Sequence, residues 1–412
     1  MLEARRRSRD VVTAGTRGRR WFIAGAVCML LAPVSVDGQA SAPGTVAGME
    51  PYLRALGLGP SQVAAAGNGQ AVVRLLKTDD DRDVAVSGVV AVRASRDAVL
   101  AHALEGPAFM AARASRSGVF GDPATAADVR AVSFDNSEYR GLRNCRHGDC
   151  DFKLTAAAMK SYADDVDWSS PNAKAQADER LRNDLLQLVK DYRSRGNAAL
   201  PVYDDARVAA HPGDVLAVLL AQPPDVAAYA PELRRYLETY PAERPDGVRD
   251  LVYWVEDRLP RMRPTLTVNH VMVYAPPNGT AFIARKQLYA THYFEGGLQL
   301  VAVVDGGTGA GAPSEAPVTY LIAVRRFRFD ALPGGIFNVR GRVRSQLLDA
   351  TRQDLMSARA ELERIAATPD DAPALHEDAR ARSRKDDALR SVVGWPIGDT
   401  PRQQPRSETR QR

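Results

Sequence analysis

Two histidines sit in stretches whose apolar residues alternate as in β-strands. In Leu266–Tyr274, period-two spacing places His270 on one face with Leu266, Val268, Met272 and Tyr274. In Thr280–Phe294 the same spacing groups His292 with Phe282, Ala284, Leu288, Ala290 and Phe294. If those faces line a cavity, the imidazoles supply a general acid or base, a metal ligand, or hydrogen bonds to a polar headgroup. Lys286 and Glu295 lie close by in sequence and are the groups that would assist acid–base chemistry. The competing expectation is two histidines bonded to backbone inside apolar stripes, because neither has a His-x-x-x-His partner. No residue is assigned as catalytic. The candidate ligand-binding residues are His270, His292, Tyr289, Phe294 and Leu355. No metal site and no cofactor are expected.

Cys145 and Cys150 are the other reactive pair, spaced Cys-Arg-His-Gly-Asp-Cys. A disulfide is expected if the chain is exported. A metal reading through Cys145, His147 and Cys150 lacks a nearby fourth ligand, and Cys-x-x-Cys redox spacing is missing. Asp305-Gly-Gly-Thr-Gly-Ala-Gly311 has the glycines of a nucleotide loop but not their register. Pro313 and Pro317 leave no helix after it to hold a pyrophosphate, so a hairpin loop is expected. Glu256 and Asp257 are adjacent, a spacing that points neighbouring side chains apart. The run Asp79–Asp83 lacks the glycine and terminal glutamate of a calcium loop and is expected to be a turn.

Charge removes nucleic acid from the partner classes. The 412 residues carry a formal +5, but residues 1–20 contain seven Arg against Glu3 and Asp10, and residues 21–40 add Asp37. The first forty residues therefore hold +4, leaving +1 for the remainder and no basic footprint for DNA or RNA. The basic start runs into Trp21–Val36, an apolar stretch interrupted by Pro33 and followed by small residues up to Ala42. This pattern is expected to be an export signal, residues 1–40, because its apolar run is shorter than the roughly 20 residues of a spanning helix. Arg19-Arg20-Trp21-Phe22-Ile23 resembles the twin-arginine signal, with Gly18 where that pattern has Ser or Thr. The expected location is periplasmic or secreted, with membrane contact only through an uncleaved signal.

The elements that would position the candidate residues follow from spacing. A linker over 41–50 leads into an α+β domain over 51–368, and a disordered tail is expected over 369–412. Ala71–Leu76 and Val84–Val92 read as strands, the second buried on both faces, and Ser95 caps a helix. Arg130–Phe134 is one more strand candidate. A helical segment is expected over about 154–259, including Leu251–Asp257. Four strands then follow: Leu266–Tyr274, Thr280–Phe294, Leu298–Val304 and Val318–Phe329. The last element is a long helix with Leu348, Thr351, Leu355, Ala358, Leu362 and Ile365 on its seam.

This order resembles the START-like, helix-grip family of ligand-binding domains. The resemblance rests on Val84–Val99 and on Thr280–Leu362. It implies a curved antiparallel sheet against a long C-terminal helix, with a helical insertion, and a hydrophobic or amphipathic small molecule or lipid held between them. Gln287–Phe294 with Tyr320–Asp330 also resembles a pattern of uncharacterised exported bacterial proteins. The function expected from this is non-enzymatic binding. The alternatives are an exported enzyme using His270 or His292, and an envelope interaction protein whose helical segment meets a partner.

Overall fold

The computed structural model describes residues 49–367, apart from 106–108, 110–113, 225, 258–262, 277–278, 307–316 and 331–338. The export segment, most of the 41–50 linker, the tail from 369 and the glycine loop beyond Gly306 lie outside the described residues.

Eight strands form one open, curved antiparallel sheet. They are β1 (Val72–Leu76), β2 (Asp83–Val92), β3 (Ala114–Phe120), β4 (Arg249–Asp257), β5 (Thr265–Tyr274), β6 (Ala281–Ala290), β7 (Phe294–Asp305) and β8 (Thr319–Phe329). The order is β1-β2-β8-β7-β6-β5-β4-β3, so β4 to β8 form a meander and β2 closes onto β8. The α+β architecture expected from the sequence is present. Helices cover both faces, which is why β2 and β5 are buried along their full length.

On one face lie α3 (Arg96–Ala103) and the 29-residue α9 (Val339–Ala367). Ser95 caps α3 by accepting from the Ala98 amide at 3.2 Å. Gly88 of β2 lets α9 come close: a Cβ there would stand 2.5 Å from Leu355 Cδ1. The buried seam of α9 runs through Val343, Leu347, Ala350, Asp354, Leu355, Ala358 and Leu362. It therefore takes Leu347 and Asp354 where the spacing argument placed Leu348 and Ile365. Asp354 joins the seam although it is charged, because it pairs with Arg325 at 2.6 Å.

The other face is covered by α1 (Glu50–Ala55), α5 (Ala156–Asp165), α6 (Ala173–Arg195), α7 (Pro212–Ala221) and α8 (Pro231–Thr239). Leu181, Leu185, Val189 and Tyr192 form the inward stripe of α6. Gly196 ends that helix at φ +67°, and a side chain there would collide with the Tyr240 carbonyl.

Two expectations are corrected and one strand is added. Leu251–Asp257 is not helix but part of β4; its Val252-Tyr-Trp-Val255 run is β-branched and aromatic, and it pairs on both sides. The helical segment therefore ends near Thr239. Arg130–Phe134 is not a strand, and its buried Phe134 amide donates to Asp178 Oδ1 at 2.9 Å. Ala114–Phe120 is a strand instead, at the sheet edge, where a mostly exposed sequence leaves little alternation to read.

Candidate functional site

The sheet and α9 line a pocket of about 100 Å³. Its polar floor comes from alternate positions of neighbouring strands: Thr267 and Asn269 on β5, Arg285 and Gln287 on β6, Gln299 on β7 and Arg325 on β8. Phe294, Phe327 and Leu347 supply apolar wall, and Asp354 of α9 faces the floor.

The two arginines differ. Arg325 is the more committed: it pairs with Asp354, donates from Nε to Gln299 Oε1 at 2.7 Å, and reaches Thr351 Oγ1 at 3.3 Å. Burial holds its guanidinium below the ordinary arginine range, with Asp354 opposing that effect. Arg285 donates to the Tyr253 hydroxyl at 3.2 Å and to Gln299 Oε1 at 3.0 Å. A guanidinium has five N–H donors, so Arg285 keeps donors to spare, and no carboxylate of the described residues lies within ion-pair distance of it. Gln287 makes no side-chain hydrogen bond among the described residues, and its Oε1 lies beside Gly297 at the cavity. The cavity thus offers unspent donors from a cation and an amide.

The other expected residues are dispersed. Phe294 lines this cavity, but Leu355 does not: it is 0 % exposed and packed in the solid core between α9 and β2. His270 points to the opposite face, among α6, α8 and β4. Its Nδ1 accepts from the Tyr192 hydroxyl at 2.8 Å, and Nε2 lies 3.8 Å from Asp250 Oδ1. Burial pushes its pKa down to about 4, with Asp250 opposing, so the ring is neutral at pH 7.

Lys286 is the cross-strand neighbour of His270 and shares its face. Its ammonium donates to Asn197 Oδ1 at 2.5 Å and sits 4.7 Å from the Tyr192 ring centre and 5.6 Å from that of Tyr240. No carboxylate of the described residues pairs with it, and burial lowers its pKa to about 7. Lys286 and His270 are 1 % and 0 % exposed.

His292 occupies the short β6–β7 connection, beside Tyr293 at φ +67°. Its Nδ1 donates to the Asp151 carbonyl at 2.6 Å, and its Nε2 meets Glu138 Oε1 at 3.2 Å. Both ring nitrogens are therefore committed to fastening the segments on either side of the disulfide onto the sheet. Cys145 and Cys150 are bonded, closing a tight turn in which Arg146 and Asp149 exchange backbone hydrogen bonds. The strict alternation that grouped His292 with Ala290 and Phe294 is broken by a bulge. Val268 pairs with Tyr289 and Asn269 with Gln287, leaving Leu288 as the extra residue. Ala290 consequently joins the α9 face, as does Phe294 of β7 beside that strand's own bulge, while Tyr289 turns to the helical face and lines a second cavity there.

Among the described residues, no group of three His, Cys, Asp or Glu side chains is placed to hold a metal ion, and no helix is long and apolar enough to cross a membrane. Comparison of the chain with protein-family models, curated proteins and solved structures finds no match. Sequence reasoning missed Arg285 and Gln287. The available signal was a set of polar residues on the face opposite His270, at 267, 269, 285 and 287, in strands otherwise apolar.

Proposed function

We propose that the protein is an exported binder of a small amphipathic molecule with an anionic head, held between the sheet and α9. The observation that carries this reading is Arg285, a guanidinium with spare donors, facing a pocket that Asp257 and Asp354 also line, with Phe294, Phe327 and Leu347 as its apolar wall. A carboxylate accepts such donors bidentately, and the aromatic wall suits a short apolar tail. The volume of about 100 Å³ is too small to hold a whole lipid chain within the pocket. At up to about 1.5 kcal/mol per non-hydrogen atom, a ligand this small binds at best near micromolar. Support for export comes from the N-terminal pattern together with the disulfide, which persists in oxidising compartments. What weighs against acid–base catalysis is the enclosure of His270 and Lys286 and the two occupied nitrogens of His292.

Calorimetric titration with butyrate, butanol and butylamine tests the reading. Butyrate should bind best, Gln287→Leu should weaken it, and Leu347→Trp should fill the cavity and abolish binding. Equal affinity for the amine, or butyrate binding indifferent to Leu347→Trp, would remove the cavity from the account.

A further inference from the structure

The second cavity lies on the helical face of the sheet, between α5, α6 and Tyr289 of β6, and has a volume of about 250 Å³. Its wall is apolar, formed by Ala158 of α5, Leu181, Leu185 and Leu188 of α6, and Pro201. Into this wall are set polar groups that the fold leaves unserved. Tyr203 is 3 % exposed and lines the cavity, yet its hydroxyl has no hydrogen-bond partner. Asp184 also lines it: Oδ1 pairs with Arg180 at 3.0 Å, while Oδ2 is buried and unpartnered. Tyr289 completes the set, its ring 5.7 Å from that of Tyr203, with no side-chain hydrogen bond among the described residues.

Buried polar atoms without partners cost stability, and several around one cavity point to an occupant that satisfies them. A carboxylate oxygen accepts only, whereas a tyrosine hydroxyl donates or accepts. The occupant therefore carries at least one hydrogen-bond donor, and one that also accepts can use the Tyr203 proton as well. Charge decides between a hydroxyl and an ammonium. Asp184 is already balanced by Arg180, Asp191 by Arg195, and Lys153 by Asp205 and Asp330, so an added cation finds no unopposed carboxylate. An anion would meet Asp184 and Asp191. Size sets the rest: a dry apolar cavity of about 150 Å³ holds benzene, so this one takes a single ring with a substituent.

We propose that this cavity is a second ligand site, on the opposite face of the sheet from the α9 cavity, for a neutral ring alcohol or phenol. The hydroxyl donates to Asp184 Oδ2 and accepts from Tyr203, and the ring lies against Leu185 and Leu188.

The test uses phenol, cyclohexanol, benzylamine and benzoate as probes, with binding followed by saturation-transfer NMR and calorimetry on the folded full chain. Phenol and cyclohexanol should bind saturably and at least tenfold more tightly than benzylamine or benzoate. Tyr203→Phe, which keeps the ring, should weaken phenol about fivefold, the value of one hydrogen bond. Ala158→Trp, at a half-buried wall position, should abolish binding while the circular dichroism spectrum is unchanged. The proposal is overturned if no probe binds, if amine and alcohol bind alike, or if both variants, still folded, bind phenol as the wild type does.

Discussion

Lys286→Met isolates the cost of a buried amine and gives the sharpest energetic prediction. The unfolded lysine keeps its proton up to about pH 10.5, while burial brings the folded value down to about 7. Between those values the unfolded chain binds more protons, so the stability of the wild type rises with pH. Below about pH 7 both states are protonated, and the full cost of burying the charge is present. The interval of about 3.5 pH units, at about 1.36 kcal/mol each, corresponds to about 5 kcal/mol. Methionine fills nearly the same volume and has no charge. It leaves Asn197 Oδ1 without its donor, a penalty of about 1–3 kcal/mol that does not vary with pH. Urea denaturation of both proteins at pH 6, 8 and 9.5 reads the difference directly, and tyrosine titrations common to both cancel. The wild type should gain on the variant by roughly 1.4 kcal/mol per pH unit above pH 7. A difference constant across that range would show that Lys286 titrates normally in the folded protein and would refute the argument.

Other perturbations have expected outcomes of their own. Leu355→Ala should cost about 2–5 kcal/mol in urea denaturation, because Leu355 is fully enclosed core and not cavity wall; it should leave butyrate affinity unchanged. His292→Phe should cost about 1–3 kcal/mol by stranding Glu138 and the Asp151 carbonyl, and hydrogen exchange should speed up in the 138–153 segment first. Thiol titration of the unfolded, unreduced protein should find neither Cys145 nor Cys150 free. Reduction should cost less than the roughly 3 kcal/mol of a 15-residue loop, because this loop is shorter.

Much of the frame was legible because its signals are local. The strands around His270, the capping Ser95 and the long apolar seam before Thr368 all follow from periodicity within one element. The site was less legible, for three physical reasons. A single bulge at Leu288 inverts the sidedness of everything after it on β6, so a period-two count from Phe282 assigns Ala290 and Tyr289 to the wrong faces. Val252–Val255 is too short for helix and strand to be told apart by pattern, and the element before it in sequence is a helix. Arg285 and Asp354 are charged residues at core positions, and only the folded sheet and helix reveal what they face.

The central claim is that Arg285 holds an anionic head in the α9 cavity. The direct measurement is the Nε–H resonance of Arg285 in ¹⁵N NMR, assigned by its loss in Arg285→Gln, during titration with butyrate and then with butylamine. The account predicts a saturable shift of that resonance with butyrate, at an affinity no tighter than about micromolar, and none with butylamine. An Arg285 resonance that stays fixed while butyrate is raised to tens of millimolar, or that moves equally with the amine, would contradict it.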